Sequence, residues 1–126
     1  MPFRALPKAR SLTDHIFIVI LATPDRAATC NWYARALDLD LGPVFELPYQ
    51  MINTAFGLPQ DFITALQMVG KGRMPIVEVD DYPPQTSVRP RHAGMLPPGN
   101  ALVSLAMTNL AACDAAWISP PVRRDG

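Results

Sequence analysis

Residues 14–41 constrain the fold more than any other stretch, because a buried strand there runs directly into an amphipathic helix. Seven apolar residues follow one another from Ile16 to Ala22, which suits a buried strand and is too short for a membrane span. Thr23-Pro24-Asp25 then predicts a helix start, since short polar side chains accept the free N–H groups of the first turn. The small apolar side of the helix carries Ala27, Cys30, Tyr33, Ala34 and Leu37.

The same pattern recurs 84 positions later, from Leu102 to Trp117. The order of strand, polar cap, small-residue helix and aromatic residue is kept without a gap, which predicts a duplicated module. Only nine residues follow Trp117, so the second module has no room for further strands. The aligned pairs are Leu21 with Leu105, Ala22 with Ala106, Asp25 with Asn109, Ala27 with Ala111, Ala28 with Ala112 and Tyr33 with Trp117.

Three strands are predicted between the two copies, with a short helix or turn inside the segment 48–59. Alternation predicts a strand at 44–47, and two apolar runs at 62–69 and 74–79 predict a hairpin around Gly70-Lys71-Gly72. The segment 80–99 contains five prolines and predicts an extended linker. Arg89, Arg91 and His92 in it either bind an anion or form a solvated face. One domain is therefore predicted, with module one at about 12–80, the linker at 81–99 and a partial module two at 100–120.

Composition excludes several classes of function. Eleven basic and eleven acidic side chains give a formal charge of zero, so no basic field is available to bind nucleic acid. The two cysteines are too far apart for a zinc finger or a CxxC pair, and both fall on apolar helix stripes, which predicts small buried side chains in a cytoplasmic, reducing setting. The basic segment 1–10 lacks an apolar region and is predicted to be a loose tail and not a signal peptide. The GxSxG motif of serine hydrolases is absent.

Four short motifs carry a resemblance to a known family: 14–16 (DHI), 32–39 (WYARALDL), 76–79 (IVEV) and 99–106 (GNALVSLA). With the predicted order of elements, the chain resembles the vicinal oxygen chelate superfamily, which includes glyoxalases, extradiol dioxygenases and bleomycin resistance proteins. The resemblance implies an α+β fold in which a βαβββ module is followed by an incomplete second βα module. It also implies a curved mixed sheet with helices on one side, around a cavity for a small molecule.

The resemblance also implies a metal site. His15 would be the ligand from the first strand and Glu78 the ligand and catalytic residue from the last strand of module one, holding a divalent Fe, Mn, Ni or Zn ion. Counting back from the helix cap places the first-strand ligand at Ile18 instead. From sequence, Glu78 either faces solvent or points into the cavity. Tyr49, Met51 and Asn53 fall where relatives line the entrance of the substrate pocket.

Three functions stay open at this stage. The first is a metal-dependent lyase, isomerase or dioxygenase, and the motif at 14–16 together with Glu78 favours it. The second is a metal-free module that sequesters a drug-like molecule. It is favoured because Leu102, or Asn100 if the register slips, occupies the position where the resemblance implies the second histidine ligand. The third is an inactive fragment. In every case a half-built second module leaves strand edges and apolar surface uncovered, which predicts a homodimer. No membrane partner is expected, because the apolar run at 16–22 is too short to span a membrane.

Overall fold

The computed structural model describes residues 18–96, 99, 102–109, 111 and 113, and these contain four strands and two helices. The strands form one mixed sheet in the order β1-β4-β3-β2, in which β1 is parallel to β4 and the other neighbours are antiparallel. The predicted α+β class and the strand, helix, three-strand order are confirmed. The elements are β1 (Val19–Thr23), α1 (Arg26–Leu37), β2 (Asp40–Pro48), α2 (Gln50–Phe56), β3 (Ile63–Lys71) and β4 (Met74–Asp81).

Helix α1 begins where the sequence predicts. The Asp25 carboxylate accepts a hydrogen bond of 2.9 Å from the Ala28 N–H, which satisfies one of the free donors of the first turn. At the other end Asp38 adopts the left-handed conformation, with φ 52° and ψ 51°, and its N–H bonds to the Ala34 carbonyl. The chain can therefore turn directly from α1 into β2.

The hydrophobic core lies between α1 and one face of the sheet. Val77 and Val79 alternate along β4 toward the helix, and the register places Val69 of β3 beside Val77. Cys30 of α1 is 1% exposed and packs in this cluster, so its expected role as a small buried side chain is confirmed. Burial raises the pKa of its thiol. Leu21, Tyr33, Ala34, Leu39 and Ile76 pack around the cluster.

Strand β2 is longer than the four alternating residues from which it was predicted. It pairs with β3 from Asp40 to Pro48, with a register shift between Leu41 and Val44. The intervening Gly42-Pro43 pair, which as sequence indicates a break, is accommodated as an irregularity inside the strand. The backbone hydrogen bonds to β3 extend the strand beyond residues 44–47, and the alternation of polar and apolar side chains carries no information about them.

A strand predicted at Leu102–Ala106 is not present in the structure. Residues 102–107 form neither strand nor helix, and the Leu102 side chain is 75% exposed. An apolar run becomes a strand only where another strand accepts its hydrogen bonds, and no described strand pairs with this segment. The rest of the predicted second module, including most of its helix, falls outside the described residues. Residues 82–96 contain turns but no helix or strand.

Candidate carboxyl site on the sheet

Glu78 and Asp80 lie on the sheet face opposite α1. Successive side chains of a strand point to opposite faces, and Val77 and Val79 take the face that packs against the helix. On the other face Glu78 has Ile20 of β1 and Met68 of β3 as its neighbours across the sheet. Asp80 has Ala22 of β1 and Leu66 of β3 as its neighbours. Two carboxyl groups therefore sit side by side among apolar residues.

Both carboxyl groups are buried. Glu78 is 8% exposed and Asp80 is 2% exposed, whereas Ile20, directly across from Glu78 on the edge strand β1, is 51% exposed. Of the two orientations that the sequence allows for Glu78, the structure gives the buried one. On this face the side chains of β1 are exposed and those of β4 are buried. A solvent molecule or ligand would therefore reach the pair from the side of β1.

Burial and mutual repulsion change the acidity of the pair. The pKa of Asp80 is raised to about 7 by burial, by the charge of Glu78 and by the hydrogen bond that Asp80 makes to Glu78. The pKa of Glu78 is raised by burial, and the hydrogen bond from Asp80 offsets part of that rise. Near neutral pH Asp80 is therefore partly protonated, and in that form it can donate a hydrogen bond to the Glu78 carboxylate.

Tyr49, at the position before the first residue of α2, is electrostatically coupled to the pair. Burial raises the pKa of its phenol, and the charges of Glu78 and Asp80 raise it further. The phenol therefore stays protonated at neutral pH and is available as a hydrogen-bond donor. Of the three residues predicted to line the pocket entrance, Tyr49 is the one whose pKa responds to the charges of Glu78 and Asp80.

The other two predicted pocket residues have different environments. Met51 is 66% exposed on α2. Asn53 is completely buried, and its amide nitrogen donates to the carbonyl oxygens of Gln60 at 3.2 Å and Phe62 at 2.9 Å. These bonds fasten α2 to the loop before β3, so Asn53 has an evident structural role. Contact of Met51 and Asn53 with a substrate stays a prediction.

The predicted metal site is only partly within the described residues. His15 lies outside them, and the β1 residue facing Glu78 is Ile20, which has no donor atom. Within the described part of the chain, no group of three or more His, Cys, Asp or Glu side chains could hold a metal ion. Glu78 and Asp80 by themselves offer oxygen donors from only two side chains, fewer than the three protein ligands typical of catalytic zinc. Ligation by His15 and Glu78 stays a prediction.

Asp80 is the site residue that sequence reasoning missed, because it was taken as the first residue of the linker. A signal was nevertheless present: two acidic residues at i and i+2 in an otherwise apolar strand must share one face of the sheet. In the structure β4 extends through Asp81, which includes Asp80 in the sheet.

The fold and this site define an α+β protein with a buried carboxyl pair on one face of a mixed sheet. The chain matches no protein-family model, and it matches no curated protein and no solved structure significantly. None of the described helices is long and apolar enough to cross a membrane.

Proposed function

We propose that the protein binds a small molecule on the sheet face carrying Glu78 and Asp80, and that this carboxyl pair transfers protons to and from it. The observation that carries the proposal is the burial of two adjacent carboxyl groups on one sheet face, with Glu78 8% and Asp80 2% exposed, where burial raises the pKa of Asp80 to about 7. Acid–base catalysis is most effective when the pKa of the group lies near the working pH. An isolated structural carboxylate in such a setting would simply cost stability.

The pair suits the isomerisation of an α-hydroxy carbonyl compound. The Glu78 carboxylate accepts a proton from the hydroxyl-bearing carbon, while Asp80 donates its proton to the carbonyl oxygen, giving an enediol. Glu78 then returns its proton to the former carbonyl carbon, and the other hydroxyl group gives its proton to Asp80, which regenerates both residues. Tyr49 donates a hydrogen bond in the same region. This is chemistry of the glyoxalase type, in line with the resemblance to the vicinal oxygen chelate superfamily.

The resemblance adds to this proposal that His15 and Glu78 would hold a divalent metal, which would supply Lewis-acid polarisation of a substrate oxygen. The test is the metal content of protein purified without chelator. We expect near-stoichiometric Fe, Mn, Ni or Zn in the wild-type chain and its loss in Glu78→Ala and in His15→Ala. Metal that persists in both variants would remove these residues as ligands.

Proton transfer is tested by exchange of carbon-bound hydrogen in D₂O, followed by NMR with the adduct of methylglyoxal and glutathione as the substrate. Removing a catalytic acid or base lowers rates by roughly 10²–10⁴-fold, so we expect Glu78→Gln and Asp80→Asn each to lose activity on that scale. Asp61→Asn is the matched control, because Asp61 is an exposed carboxylate in the turn before β3. Wild-type rates in both site variants would refute the proposal.

A second candidate is a binding module without chemistry, of the kind found in bleomycin resistance proteins. It is favoured by the apolar residues Ile20, Leu66 and Met68 that surround the pair across the sheet. The expected result is a rise in melting temperature with bleomycin that survives in Glu78→Gln. Proton exchange that depends on Glu78 would favour the enzyme instead.

A further inference from the structure

Two buried oxygen atoms on the sheet face of the carboxyl pair have no hydrogen-bond partner among the described residues. They are Oγ1 of Thr64 and Oδ1 of Asp80. Thr64 is 4% exposed and Asp80 is 2% exposed, so bulk solvent does not supply the missing partners. Buried polar atoms in native proteins nearly always have a partner, and where the protein supplies none, a buried water molecule is the usual one.

Thr64 and Glu78 lie on opposite sides of Asp80 on this face. The register places Met68 of β3 beside Glu78 and Leu66 beside Asp80, so Thr64 lies one step further along the same face of β3. Thr64 and Asp80 are thus diagonal neighbours on adjacent strands, and such neighbours have Cα atoms roughly 7–8 Å apart. Their two oxygens are not hydrogen-bonded to each other, and a single water molecule can bridge a hydroxyl and a carboxyl group at this spacing.

The strand neighbours of the two oxygens are apolar. Leu66 lies next to both residues on β3 and β4, and Leu47 of β2 is the neighbour of Thr64 on its other side. Leucine side chains form no hydrogen bonds, and they keep bulk water away from the hydroxyl and the carboxyl group. A water molecule held by Thr64 and Asp80 is therefore strongly localised, since hydrogen bonds are stronger in surroundings of low dielectric constant.

We propose that Thr64 is a positioning residue for Asp80 and acts on it through one buried water molecule. The Thr64 hydroxyl donates to the water oxygen, and one O–H of the water donates to Oδ1 of Asp80. With Oδ1 held from the side of Thr64, the acidic proton of Asp80 is carried by Oδ2, on the side of Glu78. This inference rests on the proposed proton-transfer function and adds the residue that sets the direction in which Asp80 delivers its proton.

The experiment compares high-resolution crystal structures of the full wild-type chain and of two variants, Thr64→Val and Thr64→Ser. We expect the wild-type chain and Thr64→Ser to hold one water molecule about 2.5–3.0 Å from both the hydroxyl oxygen of residue 64 and Oδ1 of Asp80. Thr64→Val removes the hydroxyl at nearly constant volume and should lose this water. Thr54→Val is the matched control and should keep the water, because Thr54 is exposed on α2.

Proton exchange of the substrate in D₂O supplies the functional measurement. A displaced acid slows the chemical step without changing how tightly the substrate binds, so Thr64→Val should lower kcat about tenfold and leave KM unchanged. Thr64→Ser keeps the hydroxyl and should restore most of the rate. A side chain that only fills space would not show this rescue, because serine lacks the methyl group of threonine.

Three outcomes overturn the inference: a wild-type structure without a water shared by the two oxygens, a water that stays in place in Thr64→Val, and a wild-type kcat in Thr64→Val. If Thr64→Val does not fold, Thr64→Ala carries the same test. The crystal structures do not require catalysis. A shared water without any proton exchange removes only the proposed enzyme function, whereas exchange that depends on Glu78 and Asp80 without a shared water removes only this inference.

Discussion

Glu78 and Asp80 stand two residues apart on β4 and point to the same sheet face, and both are almost entirely excluded from solvent although Ile20 beside them is half exposed. A pair of this kind holds one proton near neutral pH at the expense of folding stability, because a second negative charge in the same place is poorly solvated. The trade of stability for a poised proton is typical of functional sites. Because this cost to stability depends on protonation, measurements of unfolding at different pH values can detect the pair.

Replacing Asp80 by Asn should stabilise the protein at alkaline pH. The folded-state pKa of Asp80, about 7, lies above its ordinary value of 3.8, so the folded chain keeps a proton that the unfolded chain has lost between these two values. Wild-type stability therefore falls as pH rises through this window and levels off above it. Asn cannot ionise, so the free energy of unfolding at pH 8 should rise by about 1–3 kcal/mol, measured by urea denaturation at pH 5 and pH 8. Asp61→Asn is the control, and a fall in stability at pH 8 in Asp80→Asn would contradict the assignment.

Val79→Ala should destabilise the fold strongly. Val79 is completely buried between α1 and the sheet, and removing two methyl groups leaves a cavity that the packed core cannot close. We expect a loss of about 1.5–3 kcal/mol in the free energy of unfolding. Val88→Ala provides the matched comparison, because Val88 is 85% exposed and should change stability by less than about 0.5 kcal/mol. Equal effects of the two substitutions in urea denaturation would argue against this core.

The helix cap is tested by Asp25→Ala. Loss of the carboxylate leaves the Ala28 N–H without its acceptor, at a cost of about 0.5–2 kcal/mol. Asp25→Ser keeps an oxygen acceptor at this position and should recover most of the loss. If both variants unfold at the same urea concentration, the side chain of residue 25 does not cap α1.

Substitutions at the two glycines of the β3–β4 turn, Gly70 and Gly72, should differ in their cost to stability. A Cβ atom on Gly70 would collide with the carbonyl oxygen of Met74 on the neighbouring strand, so Gly70→Ala should cost about 2 kcal/mol or more. Gly72 has φ +59° with open space around it, and asparagine tolerates this left-handed conformation. Gly72→Asn should therefore cost less than about 1 kcal/mol. The melting temperatures of the two variants measure this difference. A lower melting temperature for Gly72→Asn than for Gly70→Ala would contradict the prediction.

Local patterns in the sequence were sufficient for module one. The apolar run before Thr23, the cap at Asp25 and the glycine-flanked turn each determine an element through short-range physics, and all three elements are confirmed. The burial predicted for the first strand is wrong, because β1 lies at the edge of the described sheet and its Ile20 is 51% exposed. The strand order and the burial of Glu78 depend on pairing between distant segments, which periodicity does not encode. The same limit explains the segment starting at Leu102, where an apolar run predicts a strand but no described strand pairs with it.

The edge strand β1 predicts a homodimer. Among the described strands β1 pairs only with β4, and its Ile20 is half exposed beside the carboxyl pair. Unpaired edges with exposed apolar side chains are usually covered, and a second copy of the chain is the partner we expect. Light scattering at micromolar concentration should give twice the 13.8 kDa of one chain, and Ile20→Lys should reduce it toward the monomer. A wild-type monomer under these conditions would contradict the prediction.

The parallel pairing of β1 with β4 has a consequence for how the chain folds. Val19 and Val77 lie side by side although 58 positions separate them, whereas β3 and β4 are joined by a turn of two residues. Closing the long loop costs more chain entropy than closing the hairpin, so the hairpin can form early while β1 docks last. Strand β1, which borders the carboxyl pair on its solvent side, is therefore the last strand to join the sheet in refolding. It is also the first to separate when the native protein fluctuates.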